Sequence, residues 1–263
     1  MRGGRDGQLS AGRFQGHELW LVDLEACGPA LETMEAADAR LSAEDERRIA
    51  QGADETVRRE RRRAHIALRL LIERAFGARW RGVAYHVSPA GKPSLPGAGG
   101  SFSLSHISGI ALIGLASPGP IGVDVERERP LRVSDERRRR IEGTAVRLAG
   151  GAPLPQAPEP RFMQAWVRLE ARAKADGGGI GPLLERSRAG ARRAGESASA
   201  EQGRAGGAGN RTVDPFVVFD VTLGGGLFAA VAMPAGAAAP PVFPLPGAAA
   251  GLRRLVAGAG CGR

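Results

Sequence analysis

Ile121-Gly122-Val123-Asp124-Val125-Glu126 is the stretch on which the reading of this chain turns. Ile121, Val123 and Val125 alternate with Gly122, Asp124 and Glu126, the period of a β-strand with one buried face. That register puts Asp124 and Glu126 on the same side, roughly 6.6–6.8 Å apart along the strand. Two carboxylates leaving one strand face together repel each other unless a cation sits between them. Hard oxygen ligands of this kind suit Mg²⁺. The plainer alternative is a strand end whose acidic residues point at water, and Asp-x-Glu alone does not separate the two.

On the N-terminal side, SFSLSH at 101–106 alternates Phe102 and Leu104 inward with Ser103 and Ser105 outward, and His106 ends the strand. The apolar run 110–116 reads as its buried partner, and SPGP at 117–120 turns the chain into IGVDVE. Such hairpin-like adjacency would place Ser105, His106, Asp124 and Glu126 in one sheet. Further back, PAGKPSLPGAGG at 89–100 is a turn-rich loop that holds Lys92 on stiff backbone. Val83 to Val87 reads as a short strand, Arg58 to Phe76 as a long helix opening on RRERRR, Ser42 with Asp45 as a helix start, and Glu18 to Leu24 as a first strand. On the C-terminal side, 134–148 is a second basic helix, broken by GGAPLPQAPEP. Phe162 to Ala175 is a third helix, with Phe162, Trp166, Leu169 and Ala173 at core spacing. Glu170 and Lys174 lie one turn apart on it, about 6 Å along the axis, where an intrahelical ion pair is the simplest outcome. Residues 216–233 read as a hairpin.

The chain has 263 residues, 43% hydrophobic, enough for one large or two small cores. Its net charge of +9 points to an anionic partner: nucleic acid, an acidic protein or a phosphorylated ligand. Aromatics at 5% argue against a base-stacking surface. Cys27 and Cys261 form no metal spacing, and a reduced cytoplasmic setting is the simplest inference. No run of 18 apolar residues or export signal is visible. The expected organisation is a flexible N-terminus (1–16), an N-terminal half (17–118), a C-terminal half (119–233) with a disordered insertion at 187–211, and an unstructured Ala/Pro/Gly-rich tail (234–263) in which only LRRLV at 252–256 offers a short turn.

Four blocks, in this order, resemble one family: GKPSLP at 91–96, FSLSH at 102–106, IGVDVE at 121–126 and WVRLEARAKADGGG at 166–179. They are similar to those of the 4′-phosphopantetheinyl transferases of the large, single-chain, pseudo-dimeric (surfactin-synthetase-activating) type. FDV and GLFAAVA within 219–232 look like the family's last hairpin, so the resemblance covers about residues 58–232. It implies an α+β fold of two similar halves, each a small antiparallel sheet with a long helix, and coenzyme A in the cleft between them. It implies transfer of the phosphopantetheine arm of coenzyme A to a serine of an acyl or peptidyl carrier protein, with release of adenosine 3′,5′-bisphosphate. The metal carboxylates would be Asp124, Glu126 and Glu170, holding Mg²⁺ or, as the other hard ion that fits, Mn²⁺. Glu170 would take the serine proton and Lys174 would neutralise phosphate charge; Ser105 and His106 would contact coenzyme A phosphate and Lys92 would line the adenine. Nucleic acid and membrane are not expected partners, and a monomer is expected.

The chain also departs from the family pattern. Leu169 stands where a Lys usually precedes the helix Glu, and Arg168 points about 100° away. Ile107 replaces a frequent Ser, and Arg58 to Arg63 is the best place for the 3′-phosphate contacts. Two alternatives follow: a basic nucleic-acid-binding protein, suggested by the Arg clusters at 58–63 and 137–140, and a homologue that binds coenzyme A without turnover, suggested by Leu169.

Overall fold

A computed structural model describes residues 14–95, 97, 99–130, 133–185 and 214–258. The expected insertion and residues 1–13 of the expected flexible N-terminus lie outside the described residues. The fold is mixed α+β. In chain order the elements are β1 (Gly16–Asp23), α1 (Gly28–Ala37), α2 (Ala43–Ala50), α3 (Glu55–Phe76), β2 (His86–Val87), β3 (Pro93–Ser94), β4 (Ser101–Ile107), β5 (Ile110–Ser117), β6 (Gly122–Arg127), α4 (Asp135–Leu148), α5 (Pro158–Asp176), β7 (Phe216–Asp220), β8 (Leu227–Pro234), β9 (Val242–Pro244) and α6 (Ala249–Ala257).

Local chemistry sets the helix ends. In α2 the Ser42 hydroxyl accepts from the Asp45 amide and the Asp45 carboxylate accepts from the Ser42 amide, the reciprocal box that the sequence advertises. In α3 the Asp54 carboxylate accepts from the Val57 amide at 2.9 Å. The third helix begins at Pro158, four residues earlier than expected, because a proline in the first turn loses no intrahelical bond. It ends on Gly177 in the left-handed region at φ 80°.

Two sheets stack between α3 on one side and α4 with α5 on the other. The first sheet runs β4-β5-β1-β9 and the second β6-β8-β7. One face of the first sheet, through Trp20, Ile113 and Phe102, joins Ile66 and Leu70 of α3 in one core. The facing sides of the two sheets meet through Leu19, Leu112, Val123 and Val231. The outer face of the second sheet, through Val218 and Ala230, packs on Ile141 of α4 and on Phe162 and Leu169 of α5.

The structure corrects four expectations. IGVDVE does not share a sheet with SFSLSH: β6 opens the second sheet by pairing with β8, while β4 pairs with β5. The edge strands β4 and β6 instead abut through side chains, with the Val123 amide donating to Ser103 Oγ at 3.1 Å. Ser103 and Ser105 are therefore buried at this seam, not turned to water. Strand β6 is covered on both faces, because Gly122 carries no side chain and α5 rests against its backbone; Asp124 is only 4% exposed. The tail is not unstructured: β9 pairs parallel with β1, and Leu245 and Leu252 fill the first core beside α1 and α3. Alanine-rich sequence hides an amphipathic turn that sets Leu252, Leu255 and Val256 on the core with Arg253 and Arg254 exposed, and α1, with a proline in its first turn but no side-chain N-cap, adds a helix to those expected.

Candidate functional site

Strand β6 delivers Asp124 and Glu126, helix α5 delivers Glu170 and Lys174, and the end of β4 delivers Ser105 and His106. They meet where the two edge strands abut. A triangle of short contacts forms the centre: Lys174 Nζ donates to Asp124 Oδ1 at 2.7 Å and to Ser105 Oγ at 3.0 Å, and Ser105 Oγ donates to Asp124 Oδ1 at 2.8 Å. The other oxygen, Asp124 Oδ2, is buried without a hydrogen-bond partner. A buried carboxylate oxygen left without a donor is costly, so this atom is set to receive a donor or a cation.

Glu170 is half-buried beside this triangle. Burial pushes its carboxyl above the ordinary glutamate value, the charge of Asp124 pushes the same way, Lys174 opposes, and Glu126 adds to the rise. All three carboxylates therefore lie within electrostatic reach of one another. The expected ion pair within the helix does not form: Lys174 turns to Asp124, and among the described residues no hydrogen bond or ion pair reaches the Glu170 carboxyl. Glu126, at the open end of β6, pairs with Arg129 at 3.3 Å.

Trp166, expected on the core face, is only partly buried and lies on the same i, i+4, i+8 stripe as Glu170 and Lys174. His106 lines a cavity of about 280 Å³ with Thr56, Val57 and Glu60 of α3 and Ser108. Burial lowers its pKa, and the charges of His65, Arg61 and Lys174 lower it further, against Glu60. His106 thus shares this cavity with the carboxylates of Asp54 and Glu60, while Arg61, His65 and Lys174 lie within electrostatic reach of its ring.

Other expected residues are used differently. The Lys92 ammonium donates to the carbonyls of Ile121 and Ala175, tying the GKP loop to the end of α5 and the start of β6; burial lowers its pKa to about 8. Arg168 is fully buried, forms a bidentate pair with Asp220 at 2.7 and 2.6 Å, and donates to the Ala152 and Pro153 carbonyls, while Leu169 is sealed in the core. Neither residue faces the site. In the 58–63 cluster, Arg58, Arg61 and Arg63 donate to the carbonyls of Gly52, Arg48 and Leu24, and Arg62 pairs with Glu46 and Glu32. Sequence reasoning gave Asp45 only a helix start and His65 no role: His65 stands one turn beyond Arg61 on α3, within electrostatic reach of His106, and that helical spacing was the available signal.

Among the described residues no three His, Cys, Asp or Glu side chains are drawn together into a ready-made metal cage. Lys174 takes the place a cation would hold at Asp124 Oδ1. The donor set still fits Mg²⁺: it is all carboxylate oxygen, one oxygen is unpartnered, and the third carboxyl resists ionising where it stands. No family model matches the sequence, and no curated protein matches it significantly. No helix among the described residues is long and apolar enough to cross a membrane.

Proposed function

We infer that the chain is a Mg²⁺-dependent 4′-phosphopantetheinyl transferase, built as two sheet-and-helix halves with coenzyme A bound between them, working as a cytoplasmic monomer on an acyl or peptidyl carrier protein. The observation that carries this reading is the meeting of Asp124 and Glu126 of one strand with Glu170 and Lys174 of one helix, against Ser105 and His106 of the facing sheet. Three separate sequence blocks, FSLSH, IGVDVE and WVRLEARAKADGGG, supply these residues.

Asp124, Glu126 and Glu170 would hold the ion, which supplies charge neutralisation to a diphosphate and to the departing bisphosphate. Glu170 has the raised carboxyl expected of a group that must take a proton near neutral pH. The serine Oγ–phosphorus bond forms as the phosphoanhydride bond to adenosine 3′,5′-bisphosphate breaks, and the hydroxyl proton passes to Glu170. Lys174 exchanges Asp124 for a phosphate oxygen; a unit charge pair about 4 Å apart is worth about 4 kcal/mol at an effective dielectric near 20. His106 receives the phosphate chain from the β4 side.

The test is incubation with coenzyme A, MgCl₂ and a panel of apo carrier proteins, with and without EDTA. A carrier mass that rises by one phosphopantetheine, and only without EDTA, is expected. No rise on any carrier overturns the reading. One observation favours a second one: Leu169 and Arg168 both turn into the core, leaving the family's additional phosphate contact unfilled. A homologue that binds coenzyme A without turnover would show tight calorimetric binding beside zero loading.

A further inference from the structure

Near His106 lies a charge cluster that the transfer reaction does not use. Asp45 is completely buried at the first turn of α2. Its Oδ2 accepts from the Ser42 amide at 2.9 Å, the Ser42 hydroxyl at 2.8 Å and Arg69 Nε at 2.7 Å. Its Oδ1 has no hydrogen-bond partner and faces His65 Nδ1 at 3.4 Å, itself buried and otherwise unpartnered. Burial alone would push this carboxyl up, but His65, Ser42 and Arg69 outweigh it and hold it well below the usual carboxylate range. Among the described residues no hydrogen bond is made by the other ring nitrogen, Nε2, and the side chain is 12% exposed. His106 feels the charge of His65, as it does those of Arg61, Lys174 and Glu60.

We propose that Asp45 is a positioning residue: it holds the proton of His65 on Nδ1 and so aims Nε2, beside His106, at a phosphate group of the bound ligand. A carboxylate at the back of an imidazole fixes its tautomer and ring orientation. It also lets Nε2–H donate as an imidazolium to a phosphate oxygen without leaving an isolated cation half inside the protein. Asp45 never touches the ligand; Ser42 and Arg69 clamp it so that the ring behind which it stands cannot rotate. The identity of the ligand as coenzyme A rests on the function inferred above; the Asp45–His65 pairing does not.

The experiment is nitrogen-15 NMR of the full chain labelled at histidine, assigned with His65→Gln, first alone and then titrated with inorganic pyrophosphate and with coenzyme A. His65 is expected in the Nδ1–H form when neutral, and its Nε2 resonance should move with either probe. His65→Gln should weaken coenzyme A on the order of tenfold, the loss of one charge-assisted hydrogen bond, with the loading rate at saturating coenzyme A little changed. Asp45→Asn should give the same weakening and shift the ring toward the Nε2–H form. Because that variant leaves Arg69 uncompensated and risks misfolding, the wild-type spectrum decides. An Nε2–H ring in the wild type, or an Nε2 resonance that ignores both probes, overturns the proposal. A wild-type ring in the Nδ1–H form that responds to pyrophosphate, in a protein that loads no carrier, would sink the transferase reading alone.

Discussion

Gly122→Ala is expected to damage fold and site together through a single methyl group. A Cβ at residue 122 would stand 2.1 Å from the Ala171 carbonyl oxygen, 2.3 Å from the Ala175 amide nitrogen and 2.9 Å from the Ala175 Cα. All three are backbone atoms, so no side chain can swing aside. Carbon does not sit closer than 3.0 Å to such atoms, so α5 must retreat from β6 by roughly 1 Å. Overfilling a packed interior costs about 1–3 kcal/mol, at roughly 2–4 °C in Tm per kcal/mol for a chain of this size. The same displacement separates Asp124, two residues along the strand on the Gly122 side, from Glu170, next to Ala171. A misplacement of about 1 Å costs on the order of 100-fold in rate. Gly143→Ala is the control: in α4 the nearest atom to its added Cβ is Arg147 Nη1 at 3.8 Å, an ordinary contact. That change should stabilise the helix by about 0.5–1 kcal/mol. Thermal melting and carrier loading, normalised to folded protein, read both effects. A Gly122→Ala protein that melts and loads like the wild type refutes the idea that backbone contact between β6 and α5 sets the site. A lowered Tm with no loading in either protein keeps the packing argument and removes the function.

Further outcomes follow from the same geometry. Glu170→Gln should abolish loading without lowering Tm, because burial, Asp124 and Glu126 already disfavour its charge. The wild-type loading rate should fall as pH drops through the raised Glu170 value; stability runs the other way, since a raised carboxyl contributes most below the ordinary value of 4.5 and loses that contribution as pH rises through the raised one. A rate limb no higher than an ordinary glutamate's would remove Glu170 as the base. Lys174→Met leaves Asp124 with Ser105 alone and should cost about 1–3 kcal/mol in urea unfolding; MgCl₂ should then raise its Tm more than it raises that of the wild type, and no effect on either protein would count against a metal at Asp124. Arg168→Ala empties a fully buried site, a loss of about 2–5 kcal/mol, and leaves the solvent-exposed Asp220 with the Gln164 amide as its donor, while coenzyme A affinity of the folded fraction stays unchanged if the guanidinium faces the core as Asp220 implies.

What the sequence made legible was local. The strand at IGVDVE, the Ser42–Asp45 box, the hairpin at 216–233 and the shared helix of Glu170 and Lys174 all depend on residues a few positions apart, and each has its expected element in the structure, although Lys174 pairs with Asp124 and β6 is covered on both faces. What it hid depends on partners far along the chain. Nothing in SFSLSH shows that Ser103 and Ser105 face a neighbouring edge strand, because a serine at that period serves water and a buried seam equally well. The destiny of Lys92 is set by two carbonyls that reach it only after folding. The return of 242–257 to the first sheet was masked by composition: alanine and proline dominate, and the decisive burial falls on Leu245 and Leu252.

The position of the seam explains why the site needs both sheets. Edge strands usually present unpaired backbone groups that invite another strand. Here β4 and β6 lie edge to edge without a ladder between them, and serine hydroxyls take its place: Ser103 accepts from the Val123 amide, and Ser105 donates to Asp124. These hydroxyl links hold the two strands side by side where Lys174 reaches Asp124 Oδ1 and Asp124 Oδ2 stays without a donor. The acidic groups therefore come from one sheet and its helix, and the hydroxyl and imidazole from the other. Ligand binding at such a seam draws on both sheets at once, so loosening either β4 or α5 should weaken binding even where every charged residue is kept.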